Sequence, residues 1–234
     1  MTATDLRARR LARLRGLYAV TPDASDTGAL VARCAAALDG GASAIQFRHK
    51  GADAALGEAQ ARAIVALCRS RGALAIVNDD AALAARVDAD GVHVGEHDGG
   101  VASARARVGP SRLVGASCYD SLALARSAID AGADYVAFGS FFSSGTKPHA
   151  RRAGLDLIPR ACALGVPVVA IGGIDAANAR ALADAGVDAV AVIAAVFAHD
   201  DPRDVADAAR RIVASFASRA PAHAHAPGSG PEPR

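Results

Sequence analysis

Short apolar runs of four to six residues recur along the chain, each followed by something polar or by glycine. They begin with LYAV at 17–20, SAIQF at 43–47, LAIV at 74–77 and GVHV at 91–94. LVGA at 113–116, DYVAFG at 134–139, VPVVAI at 166–171 and DAVAVI at 188–193 complete the set. Their length and their content of Val, Ile and Ala predict strands buried on both faces. Between them lie Ala-, Leu- and Arg-rich stretches of helical period, among them 29–38, 56–69, 122–131 and 178–185. Several stop at a glycine with the next strand starting at once, as in DGGAS, AGADY, LGVPV and AGVDA, which is how a helix closes into a short loop. Strand and helix alternating eight times predict an α/β fold with a parallel sheet closed into a single (β/α)8 TIM barrel. A doubly wound open sheet fits fewer units, and its G-x-G-x-x-G turn is missing after the first strand.

The 234 residues divide into an N-terminal arm at 1–16, the barrel at 17–218 and a C-terminal tail at 219–234. The tail is Pro, Gly, Ala and His without periodicity, so it is expected to be disordered. The Arg-rich stretch 7–15 resembles an organelle transit segment in charge but has almost no Ser and no apolar stripe beyond Leu6, Leu11 and Leu14. It reads better as a solvated arm or first helix.

Composition narrows the function. Hydrophobic residues make up 52% and aromatics only 4%, so the core is expected to be Ala, Val, Leu and Ile packed between helices and strands. The net charge of +2, from 26 basic and 24 acidic residues spread along the chain, gives no basic face for nucleic acid. No apolar run reaches the ~18 residues of a membrane span, and the start lacks a signal-peptide core. Cys34, Cys68, Cys118 and Cys162 show no C-x-x-C spacing and read as small buried thiols in a reducing compartment, which points to the cytoplasm. A homo-oligomer is compatible with this composition.

In such a barrel the chemistry sits at the C-terminal ends of the strands. The chain has 24 Arg but only two Lys, Lys50 and Lys147, and both follow predicted strands; of its two Asn, Asn78 ends the third strand. After the second strand, Gln46, Arg48 and Lys50 share one side of the pleat while Phe47 and His49 take the other. Three donors, two of them cationic, suit a phosphate or diphosphate. After the third strand stand Asn78, Asp79 and Asp80, and after the fourth Glu96, His97 and Asp98. Carboxylates from adjacent strand ends without thiol ligands suggest a hard cation such as Mg2+. Asp80 reads instead as the N-cap of the next helix. A zinc site from His93, His97 and Asp98 is a weaker alternative, because His93 lies inside its strand. Gly172 and Gly173 after the seventh strand, with Ile193 and Ala194 after the eighth, let backbone N–H groups approach a second phosphate. Lys147 lies in FFSSGTKPHA, whose Ser143, Ser144 and Gly145 suit a pliable lid.

Read together, LYAVTPD, the Gln-x-Arg-x-Lys of IQFRHK, VND at 77–79, GVHVG followed by Asp98, GAS, Thr146-Lys147, AIGGI and AVI resemble, in order, the motif set of the thiamine-phosphate synthases. The resemblance implies a Mg2+-assisted, dissociative substitution. The diphosphate of 4-amino-2-methyl-5-(diphosphooxymethyl)pyrimidine departs, and the nitrogen of 4-methyl-5-(2-phosphoethyl)thiazole, in its carboxylated form, attacks to give thiamine phosphate and pyrophosphate. Carried over, Gln46, Arg48, Lys50, Asn78, Ser117 and Lys147 bind the pyrimidine diphosphate, with Arg48, Lys50, Ser117 and Lys147 catalytic. Asp79 and Asp98 ligate Mg2+; Ser144 and Thr146 contact the thiazole; Gly173 and the backbone of Ile193 and Ala194 hold its phosphate. Cys118-Tyr119 stand where the family often has Thr-His, Ser143 where it often has Pro, and Ala194 where Ser is common. A thiazole tautomerase on the same barrel would not need Asp79, Asp98 and the Gln-x-Arg-x-Lys cluster together, and a phosphate-sensing barrel without activity would be expected to lack one of them.

Overall fold

The computed structural model describes residues 1–95, 98–143 and 152–217. Its eight strands are β1 (Gly16–Val20), β2 (Ala44–Phe47), β3 (Leu74–Asn78), β4 (Gly91–Val94), β5 (Leu113–Tyr119), β6 (Tyr135–Phe138), β7 (Val168–Ile171) and β8 (Ala189–Val192). Every neighbouring pair is parallel, and β8 returns to β1 with Leu17 opposite Val190, so the sheet closes on itself. Each expected run forms a strand. The fifth runs past LVGA to Tyr119, and its register against β6 shifts between Ser117 and Tyr119 as a bulge.

Helices α2 (Thr27–Asp39), α3 (Ala54–Arg71), α4 (Ala81–Arg86), α5 (Gly100–Val108), α6 (Leu122–Asp130), α7 (Leu157–Cys162) and α8 (Ala179–Ala185) fill the crossovers. The short α9 (Ala194–Phe197) and α10 (Pro202–Ala214) follow the last strand, and α10 packs on α2. Acidic or hydroxyl caps start many of them: Asp26, Asp53, Asp80 and Ser121 each accept from a backbone N–H in the first turn. The α3 helix stops at Gly72, whose φ of +67° is the left-handed cap that a Cβ would strain. Among the described residues no helix is long and apolar enough to cross a membrane.

Two cores result. The larger lies between strands and helices and is built mainly of Val, Ile, Leu and Ala with Phe47, Phe138, Phe141 and Phe197, and with Cys34, Cys68 and Cys118 as buried free thiols in it. The smaller fills the barrel itself with Leu14, Tyr18, Val20, Ala44, Leu74, Ile76, Leu113, Tyr135, Ala137, Val169, Ala189 and Ala191. Two of the chain's three tyrosines therefore stand inside the barrel, although aromatics are scarce overall.

The N-terminal segment is the helix α1 (Ala3–Leu11), opened by a capping box between Thr2 and Asp5. It lies across the N-terminal end of the barrel. Arg10 donates to Asp90 at 2.7 Å and to the Ser111 carbonyl at 2.8 Å, Arg7 reaches Asp134 at 3.6 Å, and Leu14 seals the interior. Asp90, Asp134 and Asp188 immediately precede β4, β6 and β8. Each donates its backbone N–H to the carbonyl of Ala75, Val114 or Val168 and accepts that same residue's N–H on its carboxylate. These paired bonds satisfy strand ends that would otherwise be orphaned at the barrel floor. The expected C-terminal tail lies outside the described residues.

Candidate active site

The second strand delivers its polar side chains to the opposite, C-terminal rim. Thr21, fully buried just after β1, clamps the strand end: its hydroxyl accepts from the Arg48 N–H at 2.9 Å and donates to the Arg48 carbonyl at 3.2 Å. The pleat persists beyond the strand, so Phe47 and His49 stack on one side with ring centroids 6.1 Å apart. Gly51 and Gly57 make room for the imidazole, since a Cβ on either would meet a ring atom at 2.9 Å. That leaves Arg48 and Lys50 for the rim, while Gln46, on the same side of the pleat, is buried in the barrel mouth with its amide nitrogen donating to the Tyr18 hydroxyl at 2.8 Å. Arg48 pairs with Asp23 at 3.2 Å, and the Lys50 ammonium pairs with Asp79 at 2.5 Å. Asp23 also accepts from the Lys50 backbone N–H at 2.6 Å, so one carboxylate holds both cationic residues in place.

Asp79 closes β3 with φ +64°, a left-handed conformation for a residue with a side chain, while its N–H donates to the His93 carbonyl of β4 at 2.8 Å. Such backbone strain in a non-glycine residue gathers at functional positions. Asp80 is the helix cap, accepting from Leu83 at 2.7 Å. Asp98, after β4, accepts from the Gly95 N–H at 2.8 Å, and a Cβ on Gly95 would lie 2.8 Å from that carboxylate oxygen. Asp79 and Asp98 thus stand after adjacent strands and offer only carboxylate oxygen. No group of three or more His, Cys, Asp or Glu that could hold a metal gathers among the described residues. Two carboxylates, with water and substrate oxygens completing the shell, suit Mg2+, which rarely takes an all-protein cage.

His93 is not placed as a zinc ligand. It points into the barrel, where Nδ1 lies 3.2 Å from the Tyr135 hydroxyl and Nε2 lies 3.0 Å from Ser117 Oγ. Burial lowers its pKa to about 4, against a weaker opposing pull from Asp98. Burial pushes the Tyr18 and Tyr135 phenols up, and pushes the Cys118 thiol up to about 12, so Cys118 stays protonated within the core.

On the far side of the rim the glycines after β7 are crowded by protein. A Cβ on Gly172 would meet Ser140 Oγ at 2.2 Å, and one on Gly173 would meet the Ser143 carbonyl at 2.3 Å. They admit the segment after β6, which docks by Phe141 donating to Ile171 O and Phe142 to Gly172 O. Ile193 and Ala194 lie where β8 turns into α9, whose N-cap is Ile193. Ser144, Thr146 and Lys147, with the expected lid, lie outside the described residues, as do Glu96 and His97. Thr21, Asp23, Tyr18, His93 and Tyr135 had no assigned role in the motif reading. A polar residue within an apolar strand run was the available signal for the last three.

A closed α/β barrel with cations and carboxylates gathered at its C-terminal rim is the architecture of a barrel enzyme. The model of the thiamine monophosphate synthase family matches residues 17–196. A thiamine-phosphate synthase of Chromobacterium violaceum is 54% identical over 207 residues, spanning 88% of this chain and 99% of its own. One of Thiobacillus denitrificans is 52% identical over 201 residues, spanning 86% and 95%. The solved thiamine phosphate pyrophosphorylase of Pyrococcus furiosus superposes with a TM-score of 0.76 at 36% identity, over 88% of this chain and 98% of its own. The chain belongs to the thiamine monophosphate synthase family.

Proposed function

We propose that this enzyme joins the pyrimidine diphosphate to the carboxylated thiazole phosphate and releases pyrophosphate, as a thiamine-phosphate synthase. The carrying observation is the pair of ion pairs at the rim, Lys50 with Asp79 and Arg48 with Asp23. Both are partly exposed, and pairs of that kind contribute only about 0–1 kcal/mol. An arriving diphosphate therefore displaces the carboxylates at little cost, and Asp79 becomes free for a metal.

When bound by Asp79 and Asp98, Mg2+ supplies positive charge to the diphosphate oxygens. Arg48 and Lys50 add fixed charge where the leaving group gathers electrons as the C–O bond breaks. Gln46 and Asn78 orient the pyrimidine, and its amino group feeds electron density to the cation left behind. The thiazole nitrogen then forms the C–N bond, and the carboxylate departs as carbon dioxide with a solvent proton in its place. Backbone N–H groups near Gly173, Ile193 and Ala194 hold the thiazole phosphate, while Ser144, Thr146 and Lys147 complete the site. Ser117 donates to the diphosphate. No protein nucleophile is required, and the buried, neutral Cys118 thiol accords with that. Its buried free thiols also favour a reducing cytoplasm.

Incubation of the purified protein with both phosphorylated halves and Mg2+ tests the reading. Thiamine phosphate and pyrophosphate in equal amounts are expected. Isomerisation of the thiazole phosphate without condensation would show a tautomerase instead.

A further inference from the structure

Five side chains form an unbroken polar chain through the apolar interior. Gln46 Nε2 lies 2.8 Å from Tyr18 Oη, Tyr18 Oη 3.0 Å from Tyr135 Oη, Tyr135 Oη 3.2 Å from His93 Nδ1, and His93 Nε2 3.0 Å from Ser117 Oγ. Gln46, Tyr18, Tyr135 and His93 are each at most 7% exposed. The chain starts and ends on two residues assigned to the pyrimidine diphosphate, and its three middle members have no role in that assignment. Burial of so many polar groups is costly unless each is satisfied, and here each finds its partner in the next.

The direction of the chain follows from proton counting. An amide nitrogen can only donate, so Gln46 gives a proton to Tyr18. A phenol has one proton; that of Tyr18 goes to Tyr135, and that of Tyr135 goes to His93 Nδ1. The neutral imidazole then carries its single hydrogen on Nε2 and donates it to Ser117 Oγ. The Ser117 hydroxyl proton, relieved of any inward acceptor, is directed to the rim. The reverse order, with the Gln46 carbonyl against Tyr18, would turn the Ser117 proton inward and present only lone pairs to an anion.

We propose that Tyr18, Tyr135 and His93 act as positioning residues: a one-way hydrogen-bond chain that holds Ser117 as a donor towards the departing diphosphate. The catalytic consequence rests on the synthase reading; the direction of the chain does not. Fixing the hydroxyl rotor before the substrate arrives removes a reorganisation step from the moment when charge develops.

Two measurements test it. Nitrogen-15 NMR of the full chain labelled at histidine, with the His93 signals assigned through His93→Gln, reads the tautomer directly. Hydrogen on Nε2 is expected, and hydrogen on Nδ1 overturns the proposal, whether or not the protein condenses the two halves. The second is a double-mutant cycle on turnover. Tyr135→Phe removes the link while keeping the ring and is expected to lower kcat about tenfold, less than the ~100- to 1000-fold cost of deleting a preorganised donor outright, with the KM for thiazole phosphate unchanged. In a Ser117→Ala background the same change should have no further effect, because the chain then has nothing to orient. An equal loss in both backgrounds would mark Tyr135 as a packing residue and sink the idea. Should Tyr135→Phe fold poorly, the wild-type tautomer still decides. If wild type makes no thiamine phosphate while His93 carries hydrogen on Nε2, the synthase reading fails and the chain stands.

Discussion

The ring of Tyr135 occupies the place where Gly115 would carry a side chain: a Cβ on Gly115 would stand 2.0 Å from the ring carbon Cζ and 2.4 Å from the hydroxyl oxygen. Glycine is required here by close approach, since the tyrosine must cross its own neighbouring strand to reach Tyr18 and His93. Gly115→Ala should therefore cost about 1–3 kcal/mol, the usual range for overpacking. It should also lower turnover, because the ring must swing away from His93. Thermal unfolding and steady-state kinetics on the same variant check both, and unchanged activity with a lowered melting temperature would separate the ring's packing from its hydrogen bonds.

Asp98→Asn keeps the size of the side chain and an oxygen for the Gly95 N–H. It removes charge from the expected metal position. Turnover should fall by about 100-fold or more with little change in melting temperature, and raised Mg2+ should restore part of it. Full activity at ordinary Mg2+ would remove Asp98 from the metal site.

Asp23 is expected to act on binding rather than chemistry. Its two oxygens hold Arg48 and the Lys50 backbone, so Asp23→Ala loosens both donors. A loss of about 1.5 kcal/mol, the low end for a hydrogen bond to a charged group, corresponds to roughly tenfold in KM for the pyrimidine diphosphate. Asp23→Asn, which keeps an acceptor for the Lys50 N–H, should recover part of the loss.

His93 gives stability a pH dependence of definite sign. Its folded pKa of about 4 lies below the ordinary 6.5, so the unfolded chain takes up a proton first as pH falls. The contribution is complete above pH 6.5 and disappears as pH falls towards about 4. A depression of that size corresponds to about 3 kcal/mol. Chemical denaturation from pH 7 to 4 should show this slope in wild type and a shallower one in His93→Gln; parallel curves would contradict it.

Asp90→Asn tests the barrel floor. The carboxylate accepts from Ala75 and pairs with Arg10 at 2.7 Å, far from the rim. Stability should fall by about 1–3 kcal/mol through the weakened, partly buried bonds, while kcat stays within twofold at a temperature where the variant remains folded. A large loss of kcat there would show that the floor and the rim communicate.

The strands could be read from sequence because barrel strands are buried on both faces, which leaves contiguous apolar runs, and because aspartate or serine caps and terminal glycines punctuate the helices between them. The rim was legible for a related reason. Gln46, Arg48 and Lys50 hold the alternation that the pleat imposes, and Asp79 lacks the capping duty that accounts for Asp80. The interior chain was not legible, since it joins residues from β1, β2, β4, β5 and β6 whose spacing in sequence says nothing of their meeting. Nor was the grip of Asp23 on Lys50, 27 residues away, which depends on β1 and β2 lying side by side. The glycines after β7 illustrate a further limit: sequence could not tell room for a phosphate from room for the segment after β6.

The aspartates at the starts of β4, β6 and β8 return at every second strand, and Ser43 takes the corresponding place at β2, its N–H donating to the Leu17 carbonyl and its hydroxyl to the Arg15 carbonyl at 2.5 Å. The barrel floor is thus bonded in four quarters of two strands each, and the carbonyls of Ser43, Asp90 and Asp188 join three of them to the next by accepting from Leu74, Leu113 and Gly16. A quarter that carries its own latch is expected to tolerate exchange between barrels of this build as a strand pair, provided the first strand beyond the seam keeps the N–H that the latch carbonyl accepts. Serine in the first quarter leaves one latch without a charge, its hydroxyl donating to a carbonyl where the three aspartates accept from an N–H.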